Sequence, residues 1–332
     1  RFPAHPVPNE PGTTFLYNTP ATYMVSAIVT QATGERLLDY LRPRLLEPLG
    51  IEGATWEQSP EGIDVGGYGM RIRTEDIAKL GLLYLQDGVW EGRRLLPEGW
   101  VKEATRAHVS NAPEGEDPAN LGDWGQGYGF QFWRCRHGFY RGDGAFGQYC
   151  VVMESKDAVV AITACCDDLQ AVLDAIWDHL VPAFADAPLA ESAEVAGLRA
   201  RTENLTLAVP EDRHEPLAGG TFRFEQPWQG FEQVSLAFSP QGDSVVWSGP
   251  EGSLRIVAGR GQTRVSTHGG RERHAAAGWT APDRYELQCW QLEETYSERF
   301  VFHFEEGFLR QEHQSRGWFG AGEPEIVIAR SG

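Results

Sequence analysis

Pro11-Gly-Thr-Thr-Phe-Leu-Tyr-Asn-Thr19 sets a tyrosine at the mouth of a helix. Pro-Gly marks a turn before it. Ala21 to Thr33 after it has helical spacing, with Tyr23, Ala27, Ile28 and Gln31 on one face and Gly34 as the stop. A phenol with a pKa of about 10 is a poor base at neutral pH, but a neighbouring cation or hydrogen bond lowers that value or lets it relay a proton. Alone, Tyr17-Asn18-Thr19 reads equally well as a turn before a helix, so its meaning depends on the elements downstream of it.

Leu37 to Leu49 is a second helical pattern, with Pro43 a kink or boundary. Gly66 to Arg73 is extended, and Thr74-Glu-Asp-Ile77 reads as an N-cap and acidic first turn of a helix reaching Gln86. Pro97 to Ala107 is a short helix. Asn111 to Gly125 is a Gly/Pro/Asp-rich loop of the kind that rims sites. Gly127 to Arg134 alternates as a strand. Tyr149 to Met153 and Ala158 to Ala164 are β-branched runs about a turn at Glu154 to Asp157, which predicts a hairpin. Asp168 to Phe184 is a helix whose Leu169, Val172, Leu173, Ile176 and Leu180 would cover that sheet.

Gly142-Asp-Gly-Ala-Phe-Gly-Gln148 fits Gly-x-Gly-x-x-Gly as text. A dinucleotide fingerprint follows a strand and opens a helix. This stretch feeds a β-rich run instead, so the nucleotide reading is rejected. Arg141-Gly-Asp143 spells an adhesion tripeptide, which is uninformative at three residues. Arg141 and Asp143 share a strand face by alternation, and a structural pairing of the two weighs nearly as much as a role toward a ligand.

With both elements in hand, the chain resembles the serine β-lactamase and penicillin-binding-protein superfamily over residues 8 to 184. Tyr17-Asn18-Thr19 resembles its tyrosine motif, and Gly142 to Gln148 resembles its third motif, Lys-Thr-Gly or His-x-Gly. Gly66 to Arg71, Ile77 to Leu85, Gly88 to Gly92 and Leu95 to Trp100 resemble the branch of esterases, D-aminopeptidases and 6-aminohexanoate-oligomer hydrolases. The resemblance implies acyl transfer through a serine ester. It gives Tyr17 a part in proton transfer and the Phe146 amide half of an oxyanion hole. Thr19, Arg141, Asp143, Gly144, Ala145 and Gln148 would bind substrate. Asp143 stands where the family has a cation, which argues against β-lactam or D-Ala-D-Ala carboxylates and for a neutral or cationic ester or amide.

The family nucleophile sits in Ser-x-x-Lys, and the lysines here are Lys79, Lys102 and Lys156, preceded at three residues by Asp76, Gly99 and Met153. No Ser-x-x-Lys exists in the sequence. The chain opens on Arg1 with its motif tyrosine already at position 17. The expectation is therefore a C-terminal part of a longer hydrolase, inactive by itself. The rival is a non-catalytic relative that binds a peptide or cell-wall fragment. A third reading is a structural or adhesive module.

Composition narrows the partners. A net charge of −18 opposes a phosphate backbone and argues against nucleic acid. No apolar run has the length of a membrane span. The nine histidines form no triad, and no Cys/His spacing suits zinc. Neither metal nor organic cofactor is implied; oligomeric state is not legible. The five cysteines read as buried free thiols, which favours a reducing compartment. Composition shifts near Ala185. Residues 187–218 read as linker and short helix, and 219–332 as alternating strands separated by turns, a small antiparallel barrel or sandwich. The fold class expected is α+β: a partial β-lactamase-like domain over 1–186, then an all-β domain.

Overall fold

Helix α1 (Thr19–Thr33) starts ahead of its apolar spacing because Asn18 caps it, its side chain accepting from Ala21 N at 3.1 Å. Gly34 ends it in the left-handed region (φ 74°), where a glycine carries no Cβ penalty. The face turned inward is small and polar. Ser26 is buried and donates to the Asp64 carbonyl at 2.6 Å. Gly66 and Gly67 lie so near that a Cβ on Gly67 would meet Thr19 Cγ2 at 2.8 Å. Val25 and Ile28 point outward, 57% and 59% exposed. Close backbone approach at the two glycines, not apolar burial, seats this helix.

The structure is a computed structural model and describes residues 6–187, 192–268, 271–317 and 320–331. The chain divides into two compact units, Arg1–Asp186 and Ala187–Gly332. The fold is α+β, a partial β-lactamase-like domain followed by a β barrel. Part of the linker expected over 187–218 lies outside the described residues.

In the first unit, α2 (Leu37–Leu41) runs on as a π-helical turn (Arg42–Leu46) at Pro43. Strand β1 (Thr55–Trp56) pairs with β2 (Met70–Arg71), and α3 covers Thr74–Leu85. The short pair β3 (Val89–Trp90) and β4 (Arg93–Arg94) precedes α4 (Trp100–Thr105). Strands β5 (Trp133–Arg134), β6 (Tyr140–Gly144), β7 (Gln148–Met153) and β8 (Ala158–Ile162) form an antiparallel sheet in that order. Helix α5 (Leu169–Ala175) continues as a π turn through Leu180.

Two expectations change. Thr74 is the first helical residue, not the cap: Arg73 holds that position without a side-chain bond, and Thr74 Oγ1 instead meets Thr163 Oγ1 at 2.8 Å. Of the strand expected over Gly127 to Arg134, only Trp133–Arg134 forms, because Gly127 and Gln131 take φ of 107° and 64°.

Alternation along β7 sends Tyr149, Val151 and Met153 against Leu173, Ile176 and Trp177 of the α5 segment. Cys150 on the other face meets α3, where Gly81 lets the helix down onto the sheet. A Cβ there would lie 2.5 Å from Val159 Cγ1 and 2.7 Å from Cys150 Sγ. The predicted hairpin and its covering helix are present. Leu180, expected on the covering face, is 44% exposed because the π turn rotates it outward.

The second unit opens with α6 (Ala193–Glu203). Eleven strands follow: β9 (Gly220–Trp228), β10 (Phe231–Ala237), β11 (Asp243–Gly249), β12 (Gly252–Arg260), β13 (Arg264–His268), β14 (Arg271–Ala281), β15 (Arg284–Gln291), β16 (Tyr296–Glu305), β17 (Phe308–Gly317), β18 (Gly320–Ala321) and β19 (Glu325–Ser331). Nine close a ring in the order β12-β11-β10-β9-β19-β17-β16-β15-β14, sealed by a parallel contact of Gly259 and Arg260 with Ala276 and Ala277. Buried aromatic and aliphatic side chains pack together inside it. Trp247 and Phe300 lie 4.7 Å apart, and Trp247 Nε1 donates to Gln311 Oε1 at 2.8 Å. Buried Asp243 is answered by Arg260 at 2.7 Å and the Tyr285 hydroxyl at 3.1 Å.

Candidate active site

Tyr17 reaches the first unit's sheet through aromatic packing. Its ring, 52% exposed, stacks on Trp133 at 5.8 Å and 22°, with Tyr128 edge-on at 6.3 Å. Phe15 packs beside the same two rings. Trp133 on β5 is the register partner of Arg141 on β6. The Arg141 side chain has no exposed surface, and its guanidinium lies over Trp124 at 4.6 Å and Trp133 at 5.6 Å.

A guanidinium buried this way needs acceptors. Nε donates to Asp143 Oδ2 at 2.8 Å, and Nη1 to the Asp123 carbonyl at 3.0 Å and Cys135 Sγ at 3.2 Å. Nη2 finds no partner among the described residues. The strand-face pairing of Arg141 with Asp143 is therefore present as an ion pair.

The electrostatics follow from this burial. Burial pushes the Asp143 carboxyl up to about 6, and Arg141 offsets only part of that. Tyr17 is raised above the ordinary phenol value, first by burial and then by the Asp143 charge. Tyr128 and Tyr149 are raised by burial first, with Asp143 contributing to both. Around neutrality Asp143 is charged and Tyr17 holds its proton.

Beyond β6 the chain turns through Ala145-Phe146-Gly147 into β7. Phe146 takes φ 64°, a strained position for a residue with a side chain, of about 1 kcal/mol. Its carbonyl accepts from the Cys166 amide at 3.1 Å and the Cys166 thiol at 3.3 Å, which pins the turn. Gly147 is required there, since a Cβ would stand 2.8 Å from Cys166 Sγ.

Tyr17, Arg141 and Asp143 are thus gathered around Trp133, with Gly144 the last residue of β6. Ala145 is exposed and Phe146 buried in the turn. Thr19 begins α1 against Gly67. The Gln148 amide is spent on backbone, taking Ala164 N at 3.2 Å and donating to the carbonyls of Ala145 and Ala164. A depression of about 120 Å³ beside Tyr17 is lined by Phe15, Asn18, Thr22, Tyr128 and Gln131 among others. A broader hollow of about 630 Å³ is bordered by Trp124, Asp167, Asp168 and Leu169. Tyr17 is itself among the residues that line the smaller one.

Sequence reasoning missed Trp124, Tyr128 and Trp133 as the wall of this site. Their crowding between Asp123 and Arg134 was the available signal. It also missed Asp123, a buried carboxylate that accepts from Arg136 N, Arg136 Nε, Gln170 Nε2 and Trp177 Nε1. The reading of the cysteines as buried needs correcting: Cys135 and Cys289 are buried, whereas Cys165 is exposed and Cys166 lies in the loop after β8. Among the described residues no three His, Cys, Asp or Glu gather as a metal site, and no helix is long and apolar enough to cross a membrane.

The family described as Beta-lactamase matches residues 1–178. Among solved structures, the chain is similar to one designated a 6-aminohexanoate-dimer hydrolase from Bacillus anthracis, at 20% identity, TM-score 0.43, covering 55% of this chain and 47% of that one. It is also similar to one designated a β-lactamase from Bacteroides dorei, at 14% identity, TM-score 0.41, covering 53% and 61%. A fatty acid binding protein from Schistosoma mansoni, in complex with arachidonic acid, is similar at 7% identity and TM-score 0.28, covering 34% and 93%. The chain spans about half the length of the first of these. No curated protein matches it.

Proposed function

Since this chain belongs to the β-lactamase family, within a superfamily of serine hydrolases, we propose that it forms the tyrosine-bearing and oxyanion-side part of an enzyme that hydrolyses esters or amides through an acyl-serine. The observation carrying this reading is the convergence of Tyr17, Trp133, Arg141 and Asp143 beside the strained Phe146 turn. Tyr17 would pass a proton between the nucleophile and the leaving group. The Phe146 amide would face the developing oxyanion. Thr19, Gly144, Ala145 and Gln148 belong to the substrate side of the proposal, Gln148 by holding the turn.

No nucleophile is assigned among these 332 residues, which contain no Ser-x-x-Lys. A Tyr17 phenol raised rather than lowered favours a second reading: a β-lactamase-like protein that binds a peptide or cell-wall fragment without turnover. The two separate on the natural gene product, by intact mass, N-terminal sequencing and labelling with a fluorophosphonate. A labelled serine within Ser-x-x-Lys supports the hydrolase. A product without that motif, unlabelled, refutes it in favour of binding alone.

A further inference from the structure

The segment after β8 is fastened at two levels to the turn between β6 and β7. Gln148 holds Ala164 on both sides: the Ala164 N–H donates to Oε1 at 3.2 Å, and its carbonyl accepts from Nε2. Two residues on, Cys166 N and Cys166 Sγ both donate to the Phe146 carbonyl, at 3.1 and 3.3 Å. The sulfur fills its slot, since a Cβ on Gly147 would stand 2.8 Å from it. Between these two anchors lies Cys165, which is exposed.

Exposure alternates along Thr163, Ala164, Cys165 and Cys166, as it does in an extended chain whose successive side chains leave on opposite sides. Cys165 thus faces outward and Cys166 faces the turn. Their sulfurs can bond to each other only if Cys166 Sγ leaves the Phe146 carbonyl. The other three thiols are poor competitors. Cys135 and Cys289 are buried, and Cys150 lies beneath Gly81 of α3. Burial pushes the Cys135 thiol up to about 11 and Cys150 to about 12, and it raises Cys289 as well, which withholds the thiolate that reacts with oxidants.

We propose that Cys165 and Cys166 form an oxidation site for hydroperoxides, closing to a disulfide between neighbouring residues that unlatches the Phe146 turn. The Cys165 thiolate takes the terminal oxygen of ROOH, the O–O bond breaks, ROH leaves, and Cys165 becomes a sulfenic acid. Cys166 Sγ then attacks that sulfur, the S–O bond breaks, and the oxygen departs as water with the Cys166 proton. Two electrons and two protons pass from the thiols to the peroxide, and a thiol reductant returns them. The closed pair has no S–H to donate, and Cys166 Sγ is drawn out of its slot. The turn that keeps Phe146 at φ 64° then loses its clasp. The consequence for the proposed oxyanion amide rests on the hydrolase reading; the oxidation does not.

The test exposes this chain to tert-butyl hydroperoxide near neutral pH and cleaves it after Lys156 and Arg199. Residues 157–199 contain Cys165 and Cys166 and no other cysteine. That peptide is expected to lose two hydrogens, and dithiothreitol to restore them. In the oxidised chain the Cys166 amide should exchange about three- to tenfold faster, the scale of one lost hydrogen bond. The Phe146 and Gly147 amide resonances should move, while that of Val151 in β7 stays in place. Cys166→Ser keeps an O–H donor for the Phe146 carbonyl and cannot close the ring, so its turn should not respond to peroxide.

Oxidation that stops at Cys165 as a sulfinic or sulfonic acid, oxidation of Cys135, Cys150 or Cys289 in its place, or no reaction overturns the inference. A closed pair that leaves the Cys166 exchange and the Phe146 and Gly147 resonances unchanged does so too, as does a Cys166→Ser chain whose turn still responds. None of these readouts depends on turnover, so the hydrolase reading stands or falls by its own labelling test.

Discussion

Replacing Asp123 with Asn tests whether the loop behind the site hangs on one carboxylate. Oδ1 accepts from Arg136 N at 2.8 Å, and Oδ2 accepts from Arg136 Nε at 3.0 Å, Gln170 Nε2 at 2.8 Å and Trp177 Nε1 at 2.9 Å. Asparagine keeps one oxygen. With that oxygen in the Oδ2 place, its NH2 confronts the Arg136 N–H, donor against donor. A hydrogen bond to a charged group contributes about 1.5–3 kcal/mol against about 0.5–1.5 for a neutral one, and a buried unpaired donor costs about 1–3 more. These effects are not additive, and the expected loss is about 3–5 kcal/mol, the range for breaking a buried charge pair.

The assay is urea unfolding at neutral pH, followed by the indole N–H resonance of Trp177. A loss below about 1 kcal/mol, the level of an ordinary surface substitution or little more, would refute the reasoning. Acid supplies a second check. Burial raises the Asp123 pKa, but hydrogen bonds from Gln170, Trp177 and Arg136 reverse that and leave it below its ordinary value. The stabilisation is therefore complete above the unfolded pKa of about 3.9 and is lost as pH falls through the folded value. The gap between wild type and variant should close in that window.

Gly81→Ala sets a helix-propensity gain of about 1 kcal/mol against overpacking of about 1–3 on Val159 and Cys150, and a net loss is expected in thermal melts. Adding Val159→Ala should recover part of it, and a more stable single variant would contradict the packing described. Phe300→Ala, in a fully buried ring beside Trp247, should cost about 3–5 kcal/mol in denaturant unfolding. Tyr17→Phe should change stability by less than about 0.5 kcal/mol, because the phenol is half exposed. In a gene product carrying Ser-x-x-Lys, the same substitution should lower turnover about a hundredfold or more; unchanged turnover would remove Tyr17 from proton transfer.

The sequence showed most where period and punctuation agree. The hairpin Tyr149 to Ala164, the helix after Thr74 and the alternating strands beyond Gly219 were legible because each has one dominant spacing. Helix α1 was legible in extent but not in orientation. Its neighbour is a pair of glycines, and a glycine reveals nothing about which side chains it admits. Gly127 to Arg134 failed as a strand because Gln131 adopts a left-handed conformation that its side chain does not announce. The shared strand face of Arg141 and Asp143 followed from alternation alone, and their pairing was one of two readings left open. Trp133, Trp124 and Asp123 did not follow from it, because their roles arise from contacts across β5 and β6 and from the loop folding back on α5.

The barrel's closure has a kinetic consequence. Strand β9 finds its partner β19 only at the far end of the unit, and Arg330 meets Glu225 across 105 positions of sequence. Neighbouring hairpins such as β16 and β17 need only short loops. The ring therefore assembles from local pieces, and its last seam carries the entropy of a long loop. During synthesis β9 and β10 emerge with one edge unclaimed, and that edge stays open to a wrong partner until β19 arrives.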